Sequence, residues 1–85
     1  MVGEHQLDRP VLAIGRLGGN DVQVPSQSVS RMHAKLRWEN GSWLIEDANS
    51  LNGIVYQGNR VDRHVLANGD QIFLAPRTIL YYEAM

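Results

Sequence analysis

Short apolar runs closed by turn-forming residues follow one another along most of this chain. They are Val11–Ile14, Val22–Val24, Trp43–Ile45, Ile54–Tyr56, Ile72–Leu74 and Ile79–Tyr82. Gly15, Gly18–Gly19, Asn40–Gly41, Asn52–Gly53, Gly58 and Asn68–Gly69 interrupt them, together with Pro10, Pro25 and Pro76. Most runs are too short for helices and have the length of strands. The clearest is His33–Glu39, where Ala34, Leu36 and Trp38 alternate with Lys35, Arg37 and Glu39. Asn40–Gly41 follows it directly and leads into Trp43, a hairpin signal, because both central residues of a type I′ turn need positive φ. Many short strands at this spacing predict an all-β sandwich or barrel, with Ala34, Leu36, Trp38, Leu44, Ile72 and Leu74 facing inward. One segment admits a helix instead. Ser26–Asn40 is the longest stretch without Gly or Pro, and Val29, Met32 and Leu36 stand at helical spacing. A helix there would put Arg31 and Lys35 on one face and suggest groove binding to nucleic acid. Trp38 breaks the helical stripe and completes the strand alternation, so the strand is the reading adopted.

Composition narrows the function classes. The chain has 85 residues, 44% of them apolar, enough for one domain close to the lower limit at which a core holds without staples. No linker, repeat or low-complexity tract divides it, so residues 1–85 read as a single domain. There is no cysteine, hence no disulfide or thiolate metal site, which fits a cytoplasmic, reducing address. No apolar run approaches the roughly 18 residues of a membrane span, and no membrane contact is expected. A formal charge of −1 argues against a general nucleic-acid binder. Seven of the eight basic residues are arginine, whose planar fork suits phosphate or carboxylate better than a lysine ammonium does.

Catalysis and cofactor binding find little support. Ser30, His33 and Asp47 supply the residue types of a triad, but the nucleophile-elbow pattern is absent. His5, His33 and His64 lack metal-ligand spacing. Gly15–Gly19 has neither the Lys nor the Ser/Thr of a P-loop. What remains is a set of residues at predicted strand ends, where the loops of a sandwich gather on one rim. Gly15–Arg16 closes one strand, Ser30–Arg31–Met32–His33–Ala34 opens another, and Asn52–Gly53 lies in the turn after Asp47. Two arginines, a hydroxyl and an amide make a receptor for a phosphate dianion and a peptide backbone. Each also has a structural reading: Arg16 as a surface ion-pair partner, Ser30 as a turn hydroxyl, Arg31 as a solvated cation, Asn52–Gly53 as a hairpin turn. His33 reads best as a buried ring tying loops together.

The order and spacing of these pieces add to that. Gly15–Arg16, Asn20–Asp21–Val22, Val29–Ser30–Arg31–Met32–His33–Ala34, Asp47–Ala48–Asn49–Ser50–Leu51–Asn52–Gly53 and Asn68–Gly69–Asp70–Gln71–Ile72 follow in sequence. Together they closely resemble the forkhead-associated (FHA) domain over Val11 to Glu83. The resemblance implies an eleven-stranded β-sandwich and a non-catalytic module, without cofactor or metal, that binds phosphothreonine through loops at one end. It implies that Arg16 clamps the phosphate, that Ser30 binds it, that Arg31 faces it, and that Asn52 bonds the peptide main chain. Gly15, His33 and Gly53 match positions that shape the loops. Gln27, Ser28, Asn49, Ser50 and Leu51 fall in loops that set peptide preference. The implied partner is a phosphothreonine-containing segment of a Ser/Thr-kinase substrate.

Three departures from the family pattern stand out. Leu51 replaces a frequent Thr, removing one phosphate-facing hydroxyl, and Ile54 replaces another, affecting packing. Only Met1–Glu4 precede the segment that His5–Leu7 matches, so the family's first strand is expected to be absent and the sheet edge beside Glu4–Leu7 open. The first functional reading is phosphothreonine capture. Its rivals are a phosphate-independent scaffolding domain of the same fold and, behind it, the basic-helix nucleic-acid binder.

Overall fold

The type I′ turn legible at Asn40–Gly41 is present, with φ of 53° and 80°, and it fixes the register of the longest hairpin. The computed structural model describes residues 5–84 and contains nine strands and no helix among them. These are β1 (Val11–Gly15), β2 (Val22–Gln23), β3 (Ala34–Glu39), β4 (Ser42–Asp47), β5 (Ile54–Tyr56), β6 (Asn59–Val61), β7 (Arg63–Val65), β8 (Gln71–Ala75) and β9 (Thr78–Tyr81). They form a five-stranded sheet in the order β2-β1-β3-β4-β7 and a four-stranded sheet in the order β6-β5-β8-β9. All pairings are antiparallel except β1 with β2. The all-β sandwich expectation holds and the helix over Ser26–Asn40 is excluded. Arg31 lies in a loop, whereas Lys35 is an exposed residue of β3, so the two share no helical face. Met1–Glu4, where the first-strand expectation falls, lie outside the described residues, and His5–Leu7 form no strand.

The core is the space between the sheets. Leu12 and Ile14 of β1, Ala34 and Leu36 of β3, Ile45 of β4, Ile54 of β5 and Ile72 and Leu74 of β8 form one buried cluster, joined by Val29 from a loop. Ile54, at a position where the family often has Thr, is completely buried and serves packing.

Two inward assignments need correction. Trp38 is 50% exposed. It lies beside the hairpin turn, edge-on to its cross-strand partner Trp43 at 5.5 Å, and it is Trp43 that packs against the core. At that end the sandwich covers only one of the two rings. Leu44 is buried, but on the outer face, across from Arg37 and Val65. The run Trp43–Leu44–Ile45 has no alternation to read. Pairing of Glu39 with Ser42 decides the matter by placing Ile45, not Leu44, opposite Leu36, and a one-residue slip would reverse every face.

A polar cluster joins the sheets at β7. His64 Nε2 donates to Asp70 Oδ2 (2.8 Å), Tyr56 Oη donates to Asp70 Oδ1 (3.2 Å), and the Ala67 N–H donates to Asp70 Oδ2 (2.8 Å). The Tyr56 and His64 rings stack at 3.9 Å. The Ala67 N–H, followed by His64, holds the Asp70 carboxyl below the usual carboxylate range despite its burial. Burial and the Asp70 charge push the Tyr56 hydroxyl up. Because the folded Asp70 value is depressed, its stabilisation is complete above the ordinary value of 3.8 and is lost as pH falls through the folded value.

Asp70→Asn should therefore cost about 1–3 kcal/mol near neutral pH. In urea unfolding the gap to wild type should close as the pH is taken below 3.8. A gap that does not change with pH would contradict this reading of the cluster.

Candidate functional site: the loop rim

Ile14, Ala34 and Asp47 are cross-strand neighbours. The connections after β1, before β3 and after β4 therefore leave the five-stranded sheet at one end, and the chain enters β5 from the last of them. This places residues 16–21, 24–33 and 48–53 on a common rim. The expected residues Arg16, Ser30, Arg31, Asn52 and Gly53 all lie there, with Gly15 beside them at the end of β1, although they come from segments 14 to 38 positions apart in the chain.

The loops are cross-linked by bonds that sequence spacing does not reveal. His33 is fully buried. Its Nδ1 accepts from the Ser30 N–H (3.1 Å), and its Nε2 donates to the Gly53 carbonyl (2.7 Å). An N–H can only donate and a carbonyl can only accept, so the ring carries its proton on Nε2. The His33 main chain adds bonds to Ile14 and Ala48. One residue thereby joins β1, the Ser30 loop and the loop entering β5. The Ser30 hydroxyl accepts the Leu51 N–H (3.0 Å), and Asn52 Nδ2 donates to the Ser28 carbonyl (2.6 Å). Val29 sinks into the core and pulls the Ser28–Ser30 segment down.

Two glycines act by opposite means. A side chain at Gly15 would drive its Cβ into the Arg31 carbonyl, so Gly15 is required by close approach. That carbonyl also accepts the Asn20 side-chain amide (2.7 Å). Gly53 has φ of +74°, the region that L side chains disfavour, and the Arg60 side chain lies against it.

The loop entering β5 is held from within. Asp47 Oδ1 accepts both the N–H and the hydroxyl of Ser50, and the Ser50 hydroxyl accepts the Gly53 N–H (2.8 Å). Ser50, placed by sequence among the ligand-preference residues, is 7% exposed and points into the fold; its hydroxyl is taken up in closing the turn. Gln27, Ser28 and Asn49 are exposed, and Asn49 has φ of 60°. The triad types are not assembled. His33 engages the Ser30 N–H rather than its hydroxyl, and Asp47 engages Ser50.

Between the loops lies an open depression of about 400 Å³ lined by Arg16, Gln27, Ser28, Ser30, Arg31 and Leu51, among others. Arg16 is half-buried and oriented by its Nε, which donates to the Val29 carbonyl (3.1 Å). Its Nη groups make no hydrogen bond among the described residues. The described ion pairs involve Arg9, Arg37 and His64, so neither Arg16 nor Arg31 has a carboxylate partner there. The ion-pair reading of Arg16 is thereby excluded within these residues. The Ser30 hydroxyl, already accepting from Leu51, keeps its own proton without a described acceptor. Leu51 is 83% exposed. The arrangement is a cationic, donor-rich hollow suited to an oxyanion.

Several contributors escaped the sequence reading. Val29 as an anchor had a faint signal, a lone apolar residue within Pro25–Arg31. Asn20 and Asp47 stand in recognisable motifs, but nothing local shows what they bond. Arg60 gave no signal at all.

Comparison with known proteins gives a consistent picture. A family model described as FHA domain matches residues 12–75. The glycogen accumulation regulator GarA of Mycolicibacterium smegmatis is 41% identical over 66 residues, 78% of this chain and 42% of that protein. The chain thus spans about two-fifths of that relative's length. The crystal structure of the Slr1951 protein from Synechocystis superposes with a TM-score of 0.87 at 32% identity, covering 93% of this chain and 81% of that one. Mycobacterium tuberculosis EmbR, in complex with a low-affinity phosphopeptide, superposes with a TM-score of 0.78 at 30% identity, covering 93% and 22%.

Replacing His33 by Ala leaves the Gly53 carbonyl and the Ser30 N–H unpaired and opens a cavity. It should cost about 2–4 kcal/mol in urea unfolding. A loss under about 0.5 kcal/mol, the level of an ordinary surface substitution, would show that the ring does not tie the rim.

Proposed function

This chain belongs to the FHA domain family, and from that premise we propose that its rim captures a phosphothreonine-bearing segment of another protein. One observation carries the reading. Among the described residues, the Nη groups of Arg16 and the hydroxyl proton of Ser30 have no partner in one hollow, and no carboxylate there neutralises the charge. A phosphate monoester brings about −1.5 to −2 charges and three acceptor oxygens. In this reading Arg16 supplies a charge-assisted fork, Ser30 donates its hydroxyl, and Arg31 adds a second cation. Asn52 already spends one amide N–H on Ser28, and its remaining N–H and its oxygen read the peptide main chain.

The ligand comes from outside this rim. The one threonine of the chain, Thr78, is paired with Ala75 in the opposite sheet. Residues 1–85 then act as a single recruiting module, bringing the protein that carries them to substrates of Ser/Thr kinases. EmbR, similar over most of this chain, is described with a phosphopeptide, which supports the same chemistry here. The exposed Leu51 favours a second reading, in which the rim docks an unphosphorylated apolar segment.

Titration with matched phosphorylated and unphosphorylated threonine peptides separates the two. Arg16→Ala should leave the fold intact and lower phosphopeptide affinity at least about tenfold, since a bond to a charged group is worth roughly 1.5–3 kcal/mol. Equal binding of both peptides, or an unchanged affinity in the folded variant, would refute phosphate capture by Arg16.

Leu51 offers a gain-of-function test. Its N–H holds Ser30 while its side chain covers part of the hollow with apolar surface. Leu51→Thr restores a hydroxyl there and should tighten phosphopeptide binding about fivefold, near 1 kcal/mol, without creating affinity for the unphosphorylated peptide. Weaker or unaltered binding would show that Leu51 contacts the ligand itself or faces away from the phosphate.

A further inference from the structure

Five of the seven arginines, Arg16, Arg31, Arg60, Arg63 and Arg77, have no ion-pair partner among the described residues. The topology collects them at one end of the sandwich. Arg16 and Arg31 lie on the rim loops. β6 and β8 both run antiparallel to β5, so they end where β5 begins, beside the rim. The turn after β8 carries Arg77. β7 starts at Arg63, directly after Asp62, whose carbonyl accepts the Asp47 N–H. The described carboxylates divide differently. Asp8, Glu39, Asp70 and Glu83 stand toward the opposite end, before β1, at the end of β3, just before β8 and after β9. Nearer the rim, Asp21 and Glu46 pair with Arg9 and Arg37, Asp47 closes the Ser50 turn, and Asp62 is exposed. A formal charge of −1 thus conceals a cationic rim.

Arg60 is set against the loop that carries Asn52. On one side of that loop, the Leu51 N–H meets Ser30 and the Asn52 amide reaches Ser28. At Gly53 the neighbour is Arg60, whose side chain lies where a Cβ would stand. Its Nη2 donates to the Ser50 carbonyl at 3.5 Å, the weak limit of a hydrogen bond. Asp47 and the Ser50 hydroxyl already close this turn, so the loop does not depend on the guanidinium charge. The absence of a side chain at Gly53 gives the arginine its place. Arg60 is nonetheless exposed, and a planar fork held there keeps donors to spare for an anion.

We propose that Arg60 is a specificity-determining residue that selects an acidic side chain in the bound segment, close to its phosphothreonine. The inference rests on the phosphothreonine reading and adds the class of segment, one with Asp or Glu on the Asn52 side of the phosphate. A segment whose phosphate sits with Arg16 and Ser30, and whose main chain passes Asn52, meets Arg60 beyond it. Arg63 and Arg77 at the same end add to the field that draws such a segment in.

Fluorescence anisotropy with phosphothreonine peptides, Asp replacing Ala at one flanking position at a time, tests this on the 85-residue chain. The readout is the ratio of Asp-peptide to Ala-peptide affinity. A variant that merely loosens the loop weakens both peptides and leaves the ratio alone. In the wild type, Asp should tighten binding about threefold to fivefold at a position on one side of the phosphothreonine. That advantage should shrink as salt is raised. Arg60→Gln should bring the ratio close to one, and Arg60→Glu should make Lys preferred over Asp at the same position. A preference that survives Arg60→Gln undiminished would overturn the proposal. Phosphorylation-dependent binding with no acidic preference at any position would overturn it alone. Equal binding of phosphorylated and unphosphorylated peptides would overturn the phosphothreonine reading with it.

Discussion

The rim depends on the two hydrogen bonds of one buried imidazole. His33 must offer an acceptor to the Ser30 N–H and a donor to the Gly53 carbonyl at once, from opposite sides of a rigid ring. Histidine in one tautomer does this without placing a charge in the core. Its main chain is fixed in turn by Ile14 and Ala48. The positions of Arg16, Ser30 and Asn52 follow from there. Arg16 is set by Ser30 and Val29, the Ser30 hydroxyl meets Leu51, and Asn52 reaches Ser28.

This explains how a site built almost wholly on loops is ordered before any ligand arrives. Loops on a sandwich are ordinarily the mobile parts, and ordering them on binding would subtract from affinity. Here Val29 anchors one loop in the core, and the Asp47–Ser50–Gly53 bonds close another. Gly15 lets the Arg31 main chain approach β1 closely. Bonds and packing within the protein hold the loops, while among the described residues the Arg16 Nη groups and Arg31 have no carboxylate partner.

Much of the fold was legible because its signals are local. Asn40–Gly41 announced the hairpin, and the alternation of Ala34 to Glu39 announced β3. The failures arose where the pattern stops alternating or the sandwich stops covering. Trp43–Leu44–Ile45 is uniformly apolar, so only the hairpin register could assign its faces, and Trp38 sits where cover ends. In the site, the chemistry-bearing types and their spacing pointed to Arg16, Ser30 and Asn52, and their order to the FHA family. The supporting bonds were not legible. Those of His33 to Gly53, Ser30 to Leu51 and Asn52 to Ser28 join residues 20 or more positions apart, and no periodicity encodes such partners. Ser50 shows the same limit, since a serine in a rim loop reads alike whether its hydroxyl faces ligand or closes the turn beneath it.

The central claim is that a preformed hollow between three locked loops receives phosphothreonine. Two-dimensional ¹H–¹⁵N spectroscopy during titration with a phosphothreonine peptide tests it most directly. The account predicts that the Arg16 side-chain N–H, the Leu51 N–H and the Asn52 side-chain amide shift most, while amides of the β3–β4 hairpin stay in place and the unphosphorylated peptide changes nothing. Perturbation centred on an outer sheet face, or equal shifts with both peptides, would contradict it.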